Sequence, residues 1–405
     1  MSARGQIGIV AHGPRLDLQG EWKRFRWPLA GKVPAVTSTS GQYVLHGVRP
    51  YDVRGSGELA IRGIEPIGFE LEGTLDEHAL RMRRAALRAF GGRARVTGEM
   101  AWSPRTAWTA TGTAIDIDPV SLRHDLPGHL TFDFRASGSR LGKGADFSVA
   151  VRQLSGELRH LRARGDGAVS RHGSVWQLAG VHAQLGRTTL SLDGTMDDRV
   201  DLSFRLAADD LRLLDPEMTG RLDAHGTLRG PRREPAVDLV ATGSRLHFRG
   251  FSLATLDARV DFDPRRGESQ AAVHAHGFAF GPRKLGELDF ALDGPATEQR
   301  ATLTIAGGGY RAEAHALGTL MGGAWRGMLT TLTVGGDETH LALAAPTALS
   351  VMNEAFHLDR MCLTGKPARF CADGDWSPHE WNVFVLANGL PLQLLTAGIT
   401  PDVQY

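Results

Sequence analysis

Residues 286–294 read GELDFALDG, and the fold is decided by this stretch. Leu288, Phe290 and Leu292 alternate with Asp289 and Ala291, and the run stops at Asp293-Gly294. Successive side chains of a β-strand point to opposite faces, so this spacing puts three large apolar groups on one face. The opening phrase, glycine then threonine or glutamate then leucine or methionine, starts at Gly57, Gly73, Gly98, Gly156, Gly194, Gly226, Gly286 and Gly318. Self-similarity on this scale signals one small unit, a strand with a turn, stacked many times. The irregular spacing of the copies makes this an array of strands and not a strict solenoid. The same alternation appears at Leu190 and Leu192, at Leu202, Phe204 and Leu206, at Val237, Leu239 and Ala241, at Leu303 and Ile305, and at Leu341 and Leu343.

Composition agrees with many turns between strands. Glycine is 50 of 405 residues, against a usual ~7%. No Gly-X-Y period exists, so the excess is not collagen. Alternating Leu, Val and Phe run nearly end to end, which argues against disorder. Lys plus Arg is 46 and Asp plus Glu is 45. That balance removes the electrostatic argument for nucleic acid as a partner. The bases are interleaved with acids, which reads as a solvated strand face. No run of 18 apolar residues offers a membrane-spanning helix, and Met1 to Gly13 lacks the apolar centre of a signal peptide.

Turn chemistry punctuates the pattern. Asp166-Gly167, Asp373-Gly374 and Asn388-Gly389 are hairpin signals, because glycine accepts positive φ. Asp-Pro at 118–119, 215–216 and 263–264 marks strand ends. Gly307-Gly308-Gly309 lacks a dinucleotide fingerprint and reads as a flexible turn or a bulge. The Pro/Arg-rich stretch 230–235 is the best candidate linker, but the same pattern resumes on both sides, so residues 1–405 read as one continuous body. Residues 77–90, EHALRMRRAALRAF, are rich in helix formers, yet Leu80 and Met82 also fit period two. Residues 349–361 share that ambiguity.

Catalytic chemistry is not announced. His274-x-His276 places two imidazoles on one strand face, but a third metal ligand at useful spacing is missing. Gly55-Ser56-Gly57 does not complete a nucleophile elbow. Residues 138–144, GSRLGKG, have the wrong spacing for a phosphate loop. No cofactor, metal site or catalytic residue is expected. The two cysteines, Cys362 and Cys371, flank Gly365 and Pro367, a spacing that fits the two arms of a hairpin. Reduced thiols and a disulfide both fit, and pairing in register across a hairpin favours a bridge and an oxidising compartment.

The tryptophans are more specific. Trp22 and Trp27 sit in LQGEWKRFRWPL at 18–29, Trp102 and Trp108 in AFGGRARVTGEMAWSPRTAW at 89–108, and Trp376 and Trp381 in CADGDWSPHEW at 371–381. Packing at hairpin ends is their ordinary role. Together with WNVFVLANGLPLQLL at 381–395, and in this order along the chain, these phrases resemble the TamB family of the translocation and assembly module, within the wider AsmA-like group. The resemblance covers most of the chain. It implies a β-taco: an elongated antiparallel sheet curled into a trough with an apolar inner face. It turns the reading of 77–90 toward strand. It implies a periplasmic location within a protein anchored in the inner membrane, and an outer-membrane barrel partner of the TamA type. With no anchoring helix, and ending at Tyr405, the chain reads as a middle segment of a longer protein, with anchor and barrel contacts outside it.

An elongated sheet with one apolar face must cover that face, and ligands with long acyl chains can do so. Exposing a lipid chain of about 16 carbons to water costs about 12 kcal/mol at ~0.8 kcal/mol per CH₂. The first functional expectation is therefore a non-enzymatic conduit for phospholipids between inner and outer membrane. Its groove would be lined by Leu190, Leu192, Leu202, Phe204, Leu206, Leu239, Leu288, Phe290, Leu292, Leu303, Ile305, Leu341 and Leu343. The alternatives are a scaffold assisting outer-membrane β-barrel or autotransporter assembly, and an extracellular β-solenoid adhesin with a filled core. An enzyme of the β-helix type is the weakest reading.

Overall fold

In a computed structural model the described residues are 2–11, 13–27, 36–60, 65–121, 125–139, 144–263, 269–321, 324–336, 340–352, 355–377 and 380–389. The middle of the 138–144 loop, Asp-Pro at 263–264 in part, the Pro-His of WSPHEW and the Leu-Pro-Leu turn after 389 lie outside them. The chain divides into two compact units, Met1–Asp197 and Asp198–Tyr405.

The first unit contains β1 (Ser2–Val10), β2 (Gly13–Trp27), β3 (Val36–Val48), β4 (Tyr51–Leu59), β5 (Ile67–Leu75), β6 (Ala79–Ala89), β7 (Gly92–Ala101), β8 (Ala107–Ile117), β9 (Gly128–Ser139), β10 (Asp146–Leu158), β11 (Leu161–His172), β12 (Val175–Leu185) and β13 (Thr188–Met196). Each strand pairs antiparallel with the next. The second unit contains β14 (Arg199–Ala208), β15 (Met218–Pro231), β16 (Ala236–Phe248), β17 (Phe251–Phe262), β18 (Ser269–Phe280), β19 (Arg283–Gly294), β20 (Gln299–Gly307), β21 (Tyr310–Met321), β22 (Ala324–Gly336), β23 (His340–Leu343), β24 (Thr347–Met352), β25 (Ala355–Thr364), β26 (Arg369–Trp376) and β27 (Trp381–Asn388). The meander is again sequential, with one exception. β23 and β24 share a single place beside β22, and both also pair with β25. Pro346 explains the break between them, since it has no N–H for the ladder. The fold is thus all-β, antiparallel and repetitive. Among the described residues, helix is limited to two 3₁₀ turns, Pro119–Ser121 and Leu211–Leu213.

Residues 79–89 form strand β6 despite their helix propensity, because packing outweighs a weak local preference. The turn before β6 is fixed by Asp76. Its carboxylate accepts the backbone N–H groups of His78 and Ala79 at 2.7 and 2.8 Å and the Arg81 guanidinium at 2.8 Å. Those bonds, the His78 one foremost, hold the Asp76 carboxyl below its ordinary range. The ambiguous 349–361 stretch is also extended, as β24 and β25. Within 230–235, Gly230 and Pro231 end β15 and residues 232–235 form the hairpin loop to β16. Gly308 and Gly309, both at positive φ, form the two-residue turn between β20 and β21.

Two turn expectations need correcting. Asp166-Gly167 and Asp373-Gly374 are not hairpin turns; they lie inside β11 and β26. Asp193-Gly194 likewise lies inside β13, two residues before its end. The glycines are needed for close approach. A Cβ on Gly374 would overlap the Asn382 carbonyl of the next strand, and one on Gly167 would sit 2.7 Å from the Val181 Cα. On a flat sheet a Cβ stands clear of neighbouring backbone, so these glycines mark points where the sheet bends sharply.

Candidate functional site

The register of the second unit traces apolar rows from strand to strand. One row runs Leu206, Ala224, Ala241, Ala258, Val273, Phe290, Leu303, Ala314, Leu332 across β14–β22. A second runs Phe204, Gly226, Leu239, Val260, Ala271, Leu292, Ala301, Ala316, Leu329. A third runs Leu256, Ala275, Leu288, Ile305, Ala312, Val334, Leu341. Leu202 starts a fourth with Leu228, Val237 and Phe262. Directly paired residues share a face, so all these rows lie on one side of the sheet. Eleven of the sequence-derived lining residues, Leu202 through Leu343, occupy this face. Leu190 and Leu192 sit on the apolar face of the first unit, opposite Ala183 and Val181.

The reverse face of the second unit is polar. Asp257, His274, Asp289, Thr304, Glu313 and Thr333 form a row between the apolar ones. His274 Nδ1 lies 2.6 Å from Asp289 Oδ1, and His276 Nδ1 lies 3.4 Å from Glu287 Oε1. The His-x-His pair is thus held against surface carboxylates of the next strand. Among the described residues, no group of three His, Cys, Asp or Glu is placed to hold a metal ion.

Burial separates this apolar face from an ordinary core. Along β14–β21, Phe204, Leu206, Leu239, Phe290, Leu292, Leu303 and Ile305 are all half-buried, while the residues between them are mostly exposed. The buried apolar residues of these strands, Val200 apart, are alanines: Ala208, Ala224, Ala241, Ala275 and Ala316. A packed interior buries its large side chains first, because burial follows apolar area. Here the small side chains are covered by their larger neighbours, and those neighbours stay partly open.

At the far end of the unit the face closes. Leu329, Leu341, Met361, Leu363 and Ala368 form a buried cluster, with Leu332, Val334, Leu343 and Phe370 packed against it. The split strand β23/β24 and the β25–β26 hairpin bring these residues together. Cys362 and Cys371 oppose each other on the same hairpin and are disulfide-bonded, with Cα atoms 4.1 Å apart. Leu341 and Leu343 therefore share the face of Leu303 and Ile305 but not its openness.

In the first unit one row runs Leu18, Leu45, Val53, Gly73, Met82, Gly98, Ala110, Ala136, Val149, Val169, Leu178, Gly194. The repeated glycines of the sequence fall on the apolar faces. Gly57, Gly73, Gly98 and Gly194 do so in the first unit, Gly226, Gly286 and Gly318 in the second. Two uses are visible. Gly73, Gly98, Gly226 and Gly286 bring the neighbouring strand so close that a Cβ would overlap a carbonyl oxygen. Gly41 and Gly57 lie beneath the Trp22 indole, and Gly318 and Gly327 beneath that of Trp325. The Trp22 ring also stacks on Phe69 at 6.3 Å and donates from Nε1 to the buried Ser38 hydroxyl at 2.8 Å. Trp102 donates to the Glu77 carbonyl at 2.8 Å. Trp102, just past β7, packs at a hairpin end, whereas Trp22 packs within the sheet, over Gly41 of β3 and Gly57 of β4. Sequence reasoning missed the covering role of the glycines' neighbours. The signal was present, since all eight phrases place glycine two residues before a large apolar group on the same face.

The family described as "TamB, N-terminal domain" matches residues 1–404. The chain is 22% identical over 260 residues to the translocation and assembly module subunit TamB of Haemophilus influenzae. That match covers 63% of this chain and 20% of the relative, so the chain spans a minor part of the length of the curated protein it matches. No solved structure matches. Among the described residues, no helix is long and apolar enough to cross a membrane.

Proposed function

The chain belongs to the TamB family, and on that premise we propose that it is a non-enzymatic periplasmic element whose apolar sheet faces carry phospholipid acyl chains on their way between inner and outer membrane. The observation that carries this reading is the half-buried state of the large side chains along β14–β21. A face that packs against protein buries its Phe and Leu, whereas a face awaiting a mobile apolar ligand leaves them partly open. Leu202, Phe204, Leu206, Leu239, Leu288, Phe290, Leu292, Leu303 and Ile305 form the open lining in this reading. Leu341 and Leu343 stand at its closed end, and Leu190 and Leu192 belong to the first unit's face. An outer-membrane barrel of the TamA type is the partner, engaged through regions outside this chain. Mass spectrometry of lipids that co-purify with the chain tests the reading. Phospholipid is expected on the native chain and lost from Phe290→Asp and Ile305→Asp, with both variants folded. Equal lipid on both variants would reject it.

A second reading has its own support. Val383, Phe384, Val385 and Leu386 of β27 are each about half exposed, and β27 pairs only with β26 among the described residues. An exposed apolar strand can pair with a strand from another chain, as assembly of an outer-membrane β-barrel requires. In that reading Val385→Pro impairs barrel assembly and leaves co-purified lipid unchanged.

A further inference from the structure

The polar face of the first unit carries a second feature, unrelated to the apolar faces. Some exposed arginines meet a nearby carboxylate: Arg88 with Glu70 at 3.0 Å, Arg81 with Asp76 at 2.8 Å, Arg229 with Asp201 at 3.4 Å, Arg300 with Asp293 at 3.6 Å. In the middle of β6–β10 several arginines instead gather around a single acid. A register shift between Met82 and Ala85 keeps both of those side chains on the apolar side and turns Arg83 and Arg84 together onto the polar side. A second shift, after Val151 in β10, does the same for Arg152 and Gln153. Arg95 of β7 and Arg135 of β9 lie between them. Arg83, Arg84, Arg95, Arg135 and Arg152 line one concavity of about 540 Å³, with Asp133 as its acid and the hydroxyls of Thr97, Thr111 and Thr113 between them.

The charges in this concavity do not balance. Arg83 is held by Asp52 at 2.8 Å. Glu72, opposite Arg84 in register, turns instead to Arg54 at 3.8 Å. Asp133, opposite Arg152, accepts the Thr113 hydroxyl at 2.5 Å. Arg95 faces Ala86 and Thr113, and Arg135 faces Thr111 and Ala150. Arg84, Arg95, Arg135 and Arg152 are therefore left with no salt-bridge partner among the described residues, and all four are exposed. Their like charges repel, a cost that an anionic ligand removes. Guanidinium groups present paired donors that match phosphate oxygens. The four arginines reach from β6 to β10, four strand spacings or about 19 Å. One phosphate cannot engage groups so far apart, whereas a row of phosphates can.

We propose that the polar face of β6–β10 binds the headgroup phosphates of an anionic lipid surface, through Arg84, Arg95, Arg135 and Arg152. This surface is separate from the apolar faces and does not depend on acyl-chain transport. Flotation of the full chain with vesicles tests it, using phosphatidylcholine alone and phosphatidylcholine mixed with phosphatidylglycerol. Binding is expected only to the anionic vesicles, and it should weaken as salt rises. Each arginine near such a surface contributes about fivefold to affinity, so Arg95→Gln/Arg135→Gln/Arg152→Gln should lose about a hundredfold. Arg135→Gln alone should lose about fivefold, which keeps a readout if the triple variant fails to fold. Arg229→Gln/Arg300→Gln, in the second unit, should bind like the native chain. Phe290→Asp should also keep vesicle binding, so failure of the acyl-chain reading leaves this test intact. Equal binding to neutral vesicles, or unchanged binding by the triple variant, would overturn the proposal. So would inorganic phosphate binding as tightly as the anionic vesicles, since that would mark a seat for a single anion.

Discussion

The second unit contains two stretches with the same sequence pattern and different interiors. Along β14–β21 the inward Leu, Ile and Phe side chains are half-buried. Around β22–β26 the inward Leu329, Leu341, Met361 and Leu363 are buried. Both stretches alternate with period two, and both turn one apolar face inward. The difference comes from the chain path. β23 and β24 divide one sheet position, and the disulfide-linked β25–β26 hairpin folds its apolar side onto it. Amphipathic strands make a face; only tertiary closure makes a core.

A buried charge breaks this contrast most sharply. Leu363 is 5% exposed, so Leu363→Asp buries an unpaired carboxylate and should cost about 4 kcal/mol or more, read as a lowered urea midpoint. Phe290→Asp in the open stretch can hydrate its carboxylate and should cost about 1–2 kcal/mol, from lost ring contacts alone. Equal costs would erase the distinction between the stretches. The disulfide comes next. Cys362→Ser/Cys371→Ser frees a nine-residue separation, and loop entropy puts the loss at about 2–3 kcal/mol. That loss should appear in the β22–β26 region by hydrogen exchange and leave β14–β21 protected as before.

Smaller effects sharpen the account of the bends. Gly98→Ala places a Cβ against the Thr109 carbonyl, and backbone cannot move aside as a flexible side chain can. A destabilisation of about 1–3 kcal/mol is expected, measured by denaturant titration, with Gly8→Ala as a neutral control because nothing lies near its Cβ. The smallest effect is a pH dependence at the closed end. His357 bonds Asp375 at 2.6 Å and Asp359 at 3.1 Å. These carboxylates, Asp375 first, raise the imidazole above its ordinary value. A raised folded-state value means the contribution is present below the unfolded value and is lost as pH rises through the folded one. Thermal stability should therefore fall slightly as pH rises past the ordinary imidazole value, and this slope should flatten in His357→Gln.

Strand class was legible because alternation such as Leu288, Phe290, Leu292 fixes which side chains share a face, whatever the register. The strand at 79–89 was less legible, since its helix formers are countered only by pairing with β5 and β7, which are remote in sequence. The bends were not legible. Asp166-Gly167 in mid-strand and Asn388-Gly389 at a strand end have similar local chemistry, and the neighbouring backbone alone decides between them. The closed cluster was hidden for the same reason, as Leu341 and Leu343 alternate like Leu303 and Ile305. The arginine concavity was hidden in an interleaved charge pattern. Its imbalance comes from two register shifts, which no periodicity reports.

The central claim is that β14–β21 offers its apolar face to acyl chains while β22–β26 does not. Photocrosslinking amino acids placed singly at Phe290 and Leu363 test it most directly, with adducts identified by mass spectrometry in chains taken from envelope fractions. The account predicts phospholipid adducts at 290 and protein-internal crosslinks at 363. Phospholipid at both positions, or at neither, would contradict it.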